Sequence, residues 1–264
     1  MVVLNLPDTV ALVQQSDPDR LIETVVDHWE VGLRGRLADP SPRPLGLATG
    51  RTMEPFYAAL VRRLRHWGPA DLKLLRQGWL SFNLDEYVGL PAHHGASFRA
   101  YMDERLGEPL GLTSAQLCLP DGAAADPVQE ARRYGQQLRQ AGGIGVQLLG
   151  LGSNGHVGFN EPPCSADAPC RCLDLSPATR DQNAEAFGGD PALVPRQAIT
   201  LGMAEILAAQ EVHLIVTGAA KAEILQRLLT SGCDPALPAS WLLRHPRVRL
   251  WVDDAALGLV VAAH

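Results

Sequence analysis

Gly145-Val146-Gln147-Leu148-Leu149-Gly150-Leu151-Gly152-Ser153-Asn154-Gly155-His156-Val157-Gly158-Phe159-Asn160-Glu161-Pro162 is an apolar run that empties into a glycine-rich turn carrying a histidine and a carboxylate. Its form is that of a buried strand whose loop holds Asn154, His156 and Glu161 close together. A neutral imidazole can donate at one nitrogen and accept at the other near pH 7, so His156 is the leading acid–base candidate, with Glu161 placed to orient it. Asn154 has two readings, as a turn cap or as a hydrogen-bond partner for a substrate hydroxyl.

Apolar, β-rich runs alternate with amphipathic helical patterns on both sides of this stretch, the signature of parallel strands joined by crossover helices. The predicted fold is therefore α/β, a three-layer, Rossmann-like open sheet, mostly parallel, with helices on both faces. Ser16-Asp17-Pro18 supplies a cap and a first-turn proline for a helix through Leu21, Val25 and Trp29. Pro44 to Ala48 is the next predicted strand, then the turn Thr49-Gly50-Arg51-Thr52, then a helix with Phe56, Leu60 and Leu64 on its inner stripe.

Trp79 to Leu84 predicts a strand that delivers Asp85-Glu86 to its C-terminal end, and Ser97 to Leu106 reads as helical. Asp126-Pro127 opens a helix with Val128, Ala131, Tyr134 and Leu138 facing inward. Val212 to Thr217 and Val248 to Val252 are later strands, and a helix starting near Ala219 carries Lys221 in its first turn. Ligands in open parallel sheets gather beyond the carboxyl ends of the strands. Four loops converge there: Thr49 to Thr52, Asp85-Glu86, Asn154 to Glu161, and Gly218 to Lys221.

Each loop admits a plain reading beside the chemical one. The Thr49–Thr52 turn is either a strand-to-helix connection with a threonine cap or a phosphate site, where amides, hydroxyls and Arg51 supply donors. Lys221 near a second helix start strengthens the phosphate reading. Asp85 is a turn carboxylate unless it is buried; burial would raise its pKa and suit it to moving a proton beside a carbonyl. Glu86 is a second acid–base group or a structural partner.

Composition narrows the function classes. The chain has 264 residues and no long polar or single-sign charged run, which favours one domain over residues 1–264. A net charge of −6 with scattered arginines argues against a nucleic-acid or anionic-membrane surface. No apolar segment approaches the roughly 20 residues of a membrane span, and Met1-Val2-Val3-Leu4-Asn5-Leu6-Pro7-Asp8 lacks a basic region before its apolar residues, so a cytoplasmic protein is expected. The five cysteines, Cys118, Cys164, Cys170, Cys172 and Cys233, are odd in number and are expected to be reduced thiols. Cys164, Cys170 and Cys172 lack paired metal-site spacing and read as a cysteine-bearing surface loop, with no metal expected.

Ser81-Phe82-Asn83-Leu84-Asp85-Glu86-Tyr87-Val88-Gly89-Leu90, taken with Leu149 to Pro162, closely resembles the glucosamine-6-phosphate deaminase family. Leu45 to Gly50, Val194 to Gly202, Thr217 to Ala222 and His245-Pro246 extend the likeness from about Leu45 to Asp253. The related 6-phosphogluconolactonases share a Gly-His turn and are the alternative, followed by a non-catalytic phosphosugar sensor. The resemblance implies an aldose–ketose isomerisation coupled to loss of ammonia, on a small phosphosugar substrate and without an organic cofactor. It implies that His156 assists ring opening, that Glu161 tunes it, and that Asp85 shuttles a proton between C2 and C1. Asn154 joins this catalytic group. Thr49, Gly50, Thr52 and Lys221 would hold the phosphate, with Arg51, Glu86 and Gly155 among the binding residues. Members of the family occur as monomers and as larger assemblies, so a homo-oligomer is compatible with the sequence.

Three positions depart from the family pattern. An aspartate usually stands where Asn154 is, and a carboxylate beside an imidazole raises its pKa whereas a neutral amide does not. A second glycine is usual at Arg51, and a phosphate-reading arginine is usual where Glu185 falls. The expectation is that Arg51 substitutes for that missing arginine, with Arg180 as the other candidate, and that a carboxylate at Glu185 repels phosphate.

Overall fold

The computed structural model describes residues 6–261; the first five residues, on which the reading of the N-terminus partly rests, lie outside that range. β1 (Val10–Gln15) leads into α1 (Pro18–Arg36), β2 (Leu45–Leu47), α2 (Glu54–Arg65) and α3 (Pro69–Gly78). β3 (Ser81–Asn83) is followed after one residue by β4 (Asp85–Tyr87), then α4 (Phe98–Met102), α5 (Glu108–Leu110), β5 (Leu117–Cys118) and α6 (Pro127–Gln140). β6 (Val146–Gly150), β7 (Arg171–Asp174), α7 (Pro177–Asn183), β8 (Gln197–Thr200), α8 (Met203–Leu207) and β9 (Glu211–Val216) come next. α9 (Ala222–Thr230), β10 (Val248–Asp253) and α10 (Asp254–Val261) complete the order.

Seven of these strands form one sheet in the order β1-β10-β9-β6-β2-β3-β5, parallel at every pairing. From β2 the chain adds β3 and β5 in one direction, then crosses back and adds β6, β9 and β10 in the other. Right-handed crossovers running in opposite directions place helices on opposite faces, which gives the α/β architecture expected from the sequence. The helices form for local reasons already visible in the chain. Asp17 accepts from the Arg20 amide at 2.9 Å, Pro18 opens α1, and Leu21, Val25, Trp29 and Leu33 fall on one buried stripe. On α2 the buried stripe is Phe56, Leu60 and Leu64, while Arg63 on another face reaches Asp27 and Glu30 of α1 at 2.6 and 3.0 Å.

Asp126 caps α6 by accepting from the Val128 and Gln129 amides, and Ala131, Tyr134 and Leu138 are buried as expected. Val128, in the first turn of α6, departs from that stripe: it is half exposed. The Tyr134 hydroxyl reaches the carbonyl oxygens of Asn83 and Cys118, at 2.7 and 3.0 Å, and so pins the ends of β3 and β5.

The sequence reading missed a second, three-stranded antiparallel sheet, in the order β4-β8-β7. Asp85 does not sit in a loop; it begins β4 and pairs with Thr200 of β8. The cysteine stretch is also corrected. Cys164 and Cys170 are buried, Cys164 beside Arg171 of β7 and Cys170 against Gly135 of α6, and Cys172 lies in β7 itself. All five thiols are unpaired.

His28, Glu211 and His213 come within ligand reach of one another at the opposite ends of the strands from these loops. Their hydrogen bonds leave no place for a metal. Trp29 Nε1 donates to His213 Nδ1 at 2.9 Å, so Nε2 carries the proton and donates to Glu211 Oε1 at 3.0 Å. Arg249 donates to the same carboxylate at 2.8 Å, and these partners hold the Glu211 carboxyl down at about 2. The group is a buried polar tie between α1, β9 and β10.

One close approach fixes the backbone where β8 ends against the segment that leads into β7, its neighbour in the second sheet. A Cβ added at Gly202, just after β8, would lie 1.9 Å from the Ala168 carbonyl oxygen and 2.4 Å from the Pro169 carbonyl carbon. Gly202→Ala is therefore expected to destabilise the fold by about 1–3 kcal/mol, read as a lower midpoint of thermal or urea unfolding. An unchanged midpoint would show that the backbone there can separate freely.

Candidate active site

β9, β6, β2 and β3 are consecutive in the sheet; the C-terminal ends of the first three carry three of the loops singled out from the sequence, and that of β3 leads through Leu84 to Asp85 at the start of β4. Strand order reverses between β6 and β2, where a crevice opens in this kind of sheet. A cavity of about 710 Å³ occupies that position, lined by Thr49, Gly50, Arg51, Thr52, Asp85, His156 and Lys221 among others.

The turn after β2 is held from behind. The Tyr57 hydroxyl donates to the Ala48 carbonyl at 2.7 Å, the Tyr101 hydroxyl to the Gly50 carbonyl at 3.1 Å, and the Met53 amide to the same Gly50 oxygen at 2.9 Å. Gly50 has φ of 99°, a conformation that favours glycine, and leaves Thr49 to Thr52 facing the cavity. Lys221 sits on a short turn, Ala219–Lys221, just before α9 rather than inside it. That turn is anchored by the Gly218 amide, which donates to both carboxylate oxygens of the fully buried Asp253 at 3.0 and 2.9 Å. Burial lowers the Lys221 ammonium pKa, and the nearby Arg51 charge lowers it further. Arg51 itself is engaged by Glu185, Nη1 to Oε2 at 2.8 Å.

Strand periodicity separates the acidic pair. Successive side chains of β4 point to opposite faces, so Asp85 and Tyr87 line the cavity and Glu86 does not. The Glu86 carboxylate instead accepts from the main-chain amides of Tyr87, Phe98 and Arg99, at 2.9, 2.9 and 2.8 Å. It caps α4, whose own N-cap Ser97 accepts from the Ala100 amide. The expected binding role for Glu86 gives way to this structural one, because its carboxylate is occupied by main-chain donors. Its charge still reaches Asp85. Burial, with Glu86 second, pushes the Asp85 carboxyl up to about 8, against a small opposing pull from the Phe159 amide.

The loop after β6 presents His156 by packing its ring on Gly152, where any Cβ would come within 2.3–2.4 Å of ring atoms. Asn154 Oδ1 accepts from the His156 amide at 3.2 Å and faces His156 Nδ1 at 2.6 Å. The main-chain donor requires an oxygen there, so the ring proton lies on Nδ1 and the Nε2 lone pair is open. Burial lowers the His156 pKa; Glu161 raises it and Lys221 lowers it. Asn154 thus both caps the turn and orients the ring. Glu161 acts on the ring by charge, while its carboxylate accepts from the buried Thr179 hydroxyl of α7.

Gly155 lies outside the cavity lining. Its φ of 84° and the 2.2 Å approach of Leu237 Cδ1 to any added Cβ make it a residue of the turn's shape rather than a ligand contact. Arg180 is likewise excluded from the cavity: it donates to the Val194 and Pro191 carbonyls at 3.2 and 2.7 Å. The sequence reading missed Tyr87, Tyr101, Gln182 and Asn183, which also line the cavity. Only Tyr87 had a signal, as the second residue after Asp85 on an alternating strand.

Comparison with known proteins identifies the family and the fold. The profile of the glucosamine-6-phosphate isomerases/6-phosphogluconolactonase family matches residues 16–251. A glucosamine-6-phosphate deaminase of Rhodopirellula baltica (strain DSM 10527 / NCIMB 13988 / SH1) is 41% identical over 90% of this chain and 95% of its own. One of Geobacillus sp. (strain WCH70) is 42% identical over 82% and 84%. Among solved structures, a monomeric glucosamine-6-phosphate deaminase superposes with a TM-score of 0.85 at 31% identity, covering 94% of this chain and 99% of the other. The 6-phosphogluconolactonase of Trypanosoma brucei superposes at 0.72 with 22% identity, covering 95% and 98%, a likeness of fold. The chain belongs to the glucosamine-6-phosphate isomerase/6-phosphogluconolactonase family.

Proposed function

We propose that this protein is a glucosamine-6-phosphate deaminase, converting glucosamine 6-phosphate and water to fructose 6-phosphate and ammonia. The observation that carries this reading is a buried carboxylate, Asp85, whose pKa is pushed up to about 8, in one cavity with a histidine whose Nε2 is bare. Its relatives at 41–42% identity carry that name. Thr49, Gly50, Arg51 and Thr52, with Lys221, would take the phosphate at the far end of the sugar.

The chemistry follows from these groups. His156 Nε2 takes the proton of the anomeric hydroxyl and returns it to the ring oxygen, opening the sugar. Asp85, ionised, removes the proton from C2 and delivers it to C1. With a proton passing from the amine to the C1 carbonyl oxygen, C1 becomes a primary alcohol and the C2 amine an imine, which water hydrolyses to a ketone and ammonia. Asn154 keeps the His156 proton on Nδ1 throughout, and Glu161 stabilises the ring when it is positive.

Asp85→Asn should reduce ammonia release about 10²- to 10⁴-fold. The same change has an opposite effect on stability. With a folded pKa near 8 against an ordinary value of 3.8, folded Asp85 holds a proton that the unfolded chain releases, so stability falls as pH rises from about 4 to about 8. The asparagine variant lacks that loss, so its melting temperature should overtake the parent's as pH is raised through this window. Parallel melting curves at pH 5 and pH 8 would contradict the assignment of the raised pKa.

The rate should climb with pH toward 8, as Asp85 ionises. Asn154→Asp should move the His156 limb of the kcat/KM profile up by roughly 1 to 3 pH units, since a carboxylate favours the imidazolium. An unmoved limb would mean that Asn154 does not govern this ring. Turnover of 6-phosphogluconolactone with no ammonia from glucosamine 6-phosphate at pH 8 would replace the deaminase reading altogether.

A further inference from the structure

Arg51 and Glu185 face each other across the mouth of the cavity, one on the turn after β2 and the other on the short turn Ala184–Phe187 that follows α7. Both side chains are 79% exposed, and 2.8 Å separates Nη1 from Oε2. Among the described residues, neither side chain has another hydrogen-bond or ion-pair partner. Lys221 lies behind Arg51, close enough to feel its charge, and lines the same cavity.

We propose that Glu185 is a tethered anion that occupies the Arg51 guanidinium in the empty enzyme and is displaced from it by the phosphate group of the substrate. The proposal rests on the phosphosugar reading above and adds to it a gate on ligand charge. A carboxylate on a guanidinium stands in for a phosphate, because both present oxygens to the same N–H fork. The exchange is favourable on charge alone. A phosphate monoester carries about −1.5 to −2 near neutral pH against −1 for Glu185, and it meets Lys221 as well as Arg51. The bond given up is weak, since exposed ion pairs contribute little. Glu185 also has open solvent to swing into. An unphosphorylated sugar brings nothing able to take its place, so the pair discriminates by ligand charge.

Calorimetric titration of inorganic phosphate and of fructose 6-phosphate at low ionic strength tests this on the full chain and on Glu185→Gln, Arg51→Ala and the double variant. Glu185→Gln should bind both probes about two- to five-fold more tightly, a gain that shrinks as salt is added. Arg51→Ala should weaken both, and in that background Glu185→Gln should restore much less than it adds to the parent. Three results would overturn the proposal: unchanged or weaker binding in Glu185→Gln, an equal gain with and without Arg51, or no phosphate binding by any variant. An equal gain would reduce Glu185 to through-space repulsion. Ammonia release measured on the same preparations separates the two readings, because its absence alongside the predicted phosphate pattern sinks the deaminase assignment and leaves the gate standing.

Discussion

The parallel pairing of β2 with β6 is the constraint on which the rest depends. It joins Leu45 to Val146 and Gly46 to Gln147, residues about a hundred positions apart, and so sets the Thr49–Thr52 turn beside the Asn154–Glu161 loop. Gly46 has no Cβ to obstruct the Gln147 side chain, which crosses within 2.2 Å of where one would be. Strand order reverses at this pairing, so chain is added outward on both sides, and no crossover helix covers the crevice between the two strand ends. The Thr49–Thr52 turn and the histidine loop are neighbours because of where the sheet changes direction.

The Asp85 side of the cavity depends on a second geometric event. Between Asn83 and Asp85 the chain leaves the parallel sheet and enters the antiparallel one, with Tyr134 pinning the last residue of β3 and Thr200 pairing with the first of β4. That exit buries Asp85 against Gly158: the Asp85 carboxylate and the Thr200 hydroxyl lie 3.1 and 3.2 Å from where a Cβ on Gly158 would fall. A buried carboxylate destabilises the folded chain whenever it is ionised. The fold therefore carries at Asp85 a buried carboxyl whose ionisation costs stability. Glu86, one residue on, has the opposite economy: three main-chain donors satisfy it and it holds α4 in place.

The departures from the family pattern form two local compensations. Arg51 and Glu185, anomalous when taken singly, are partners in space. Asn154 lacks a charge but keeps the contact a ring orienter needs, on Nδ1, and it does so while satisfying the His156 amide. Glu161 touches Thr179 and reaches the ring only through its charge.

Much of this was legible in the chain because it is local. Alternating strand and helix periods, the caps at Asp17 and Asp126, and the glycine-rich strand ends depend on neighbours within a few residues, and these define an α/β sheet with four loops at one edge. The motif words around Asp85 and His156 pointed to a family for the same reason. Tertiary structure alone decided what depends on long-range pairing. The second sheet is built from strands of three or four residues, too short for a periodic signal, and its partners lie far apart in sequence. Whether Asp85 or Glu86 faces the cavity turned on the register of that sheet. The ion pair between Arg51 and Glu185 joins residues 134 positions apart, and no local pattern could announce it. Sequence determined which chemical groups stand at the strand ends; the packing of two sheets determined which are buried, which are satisfied by main chain, and which remain free to meet a ligand.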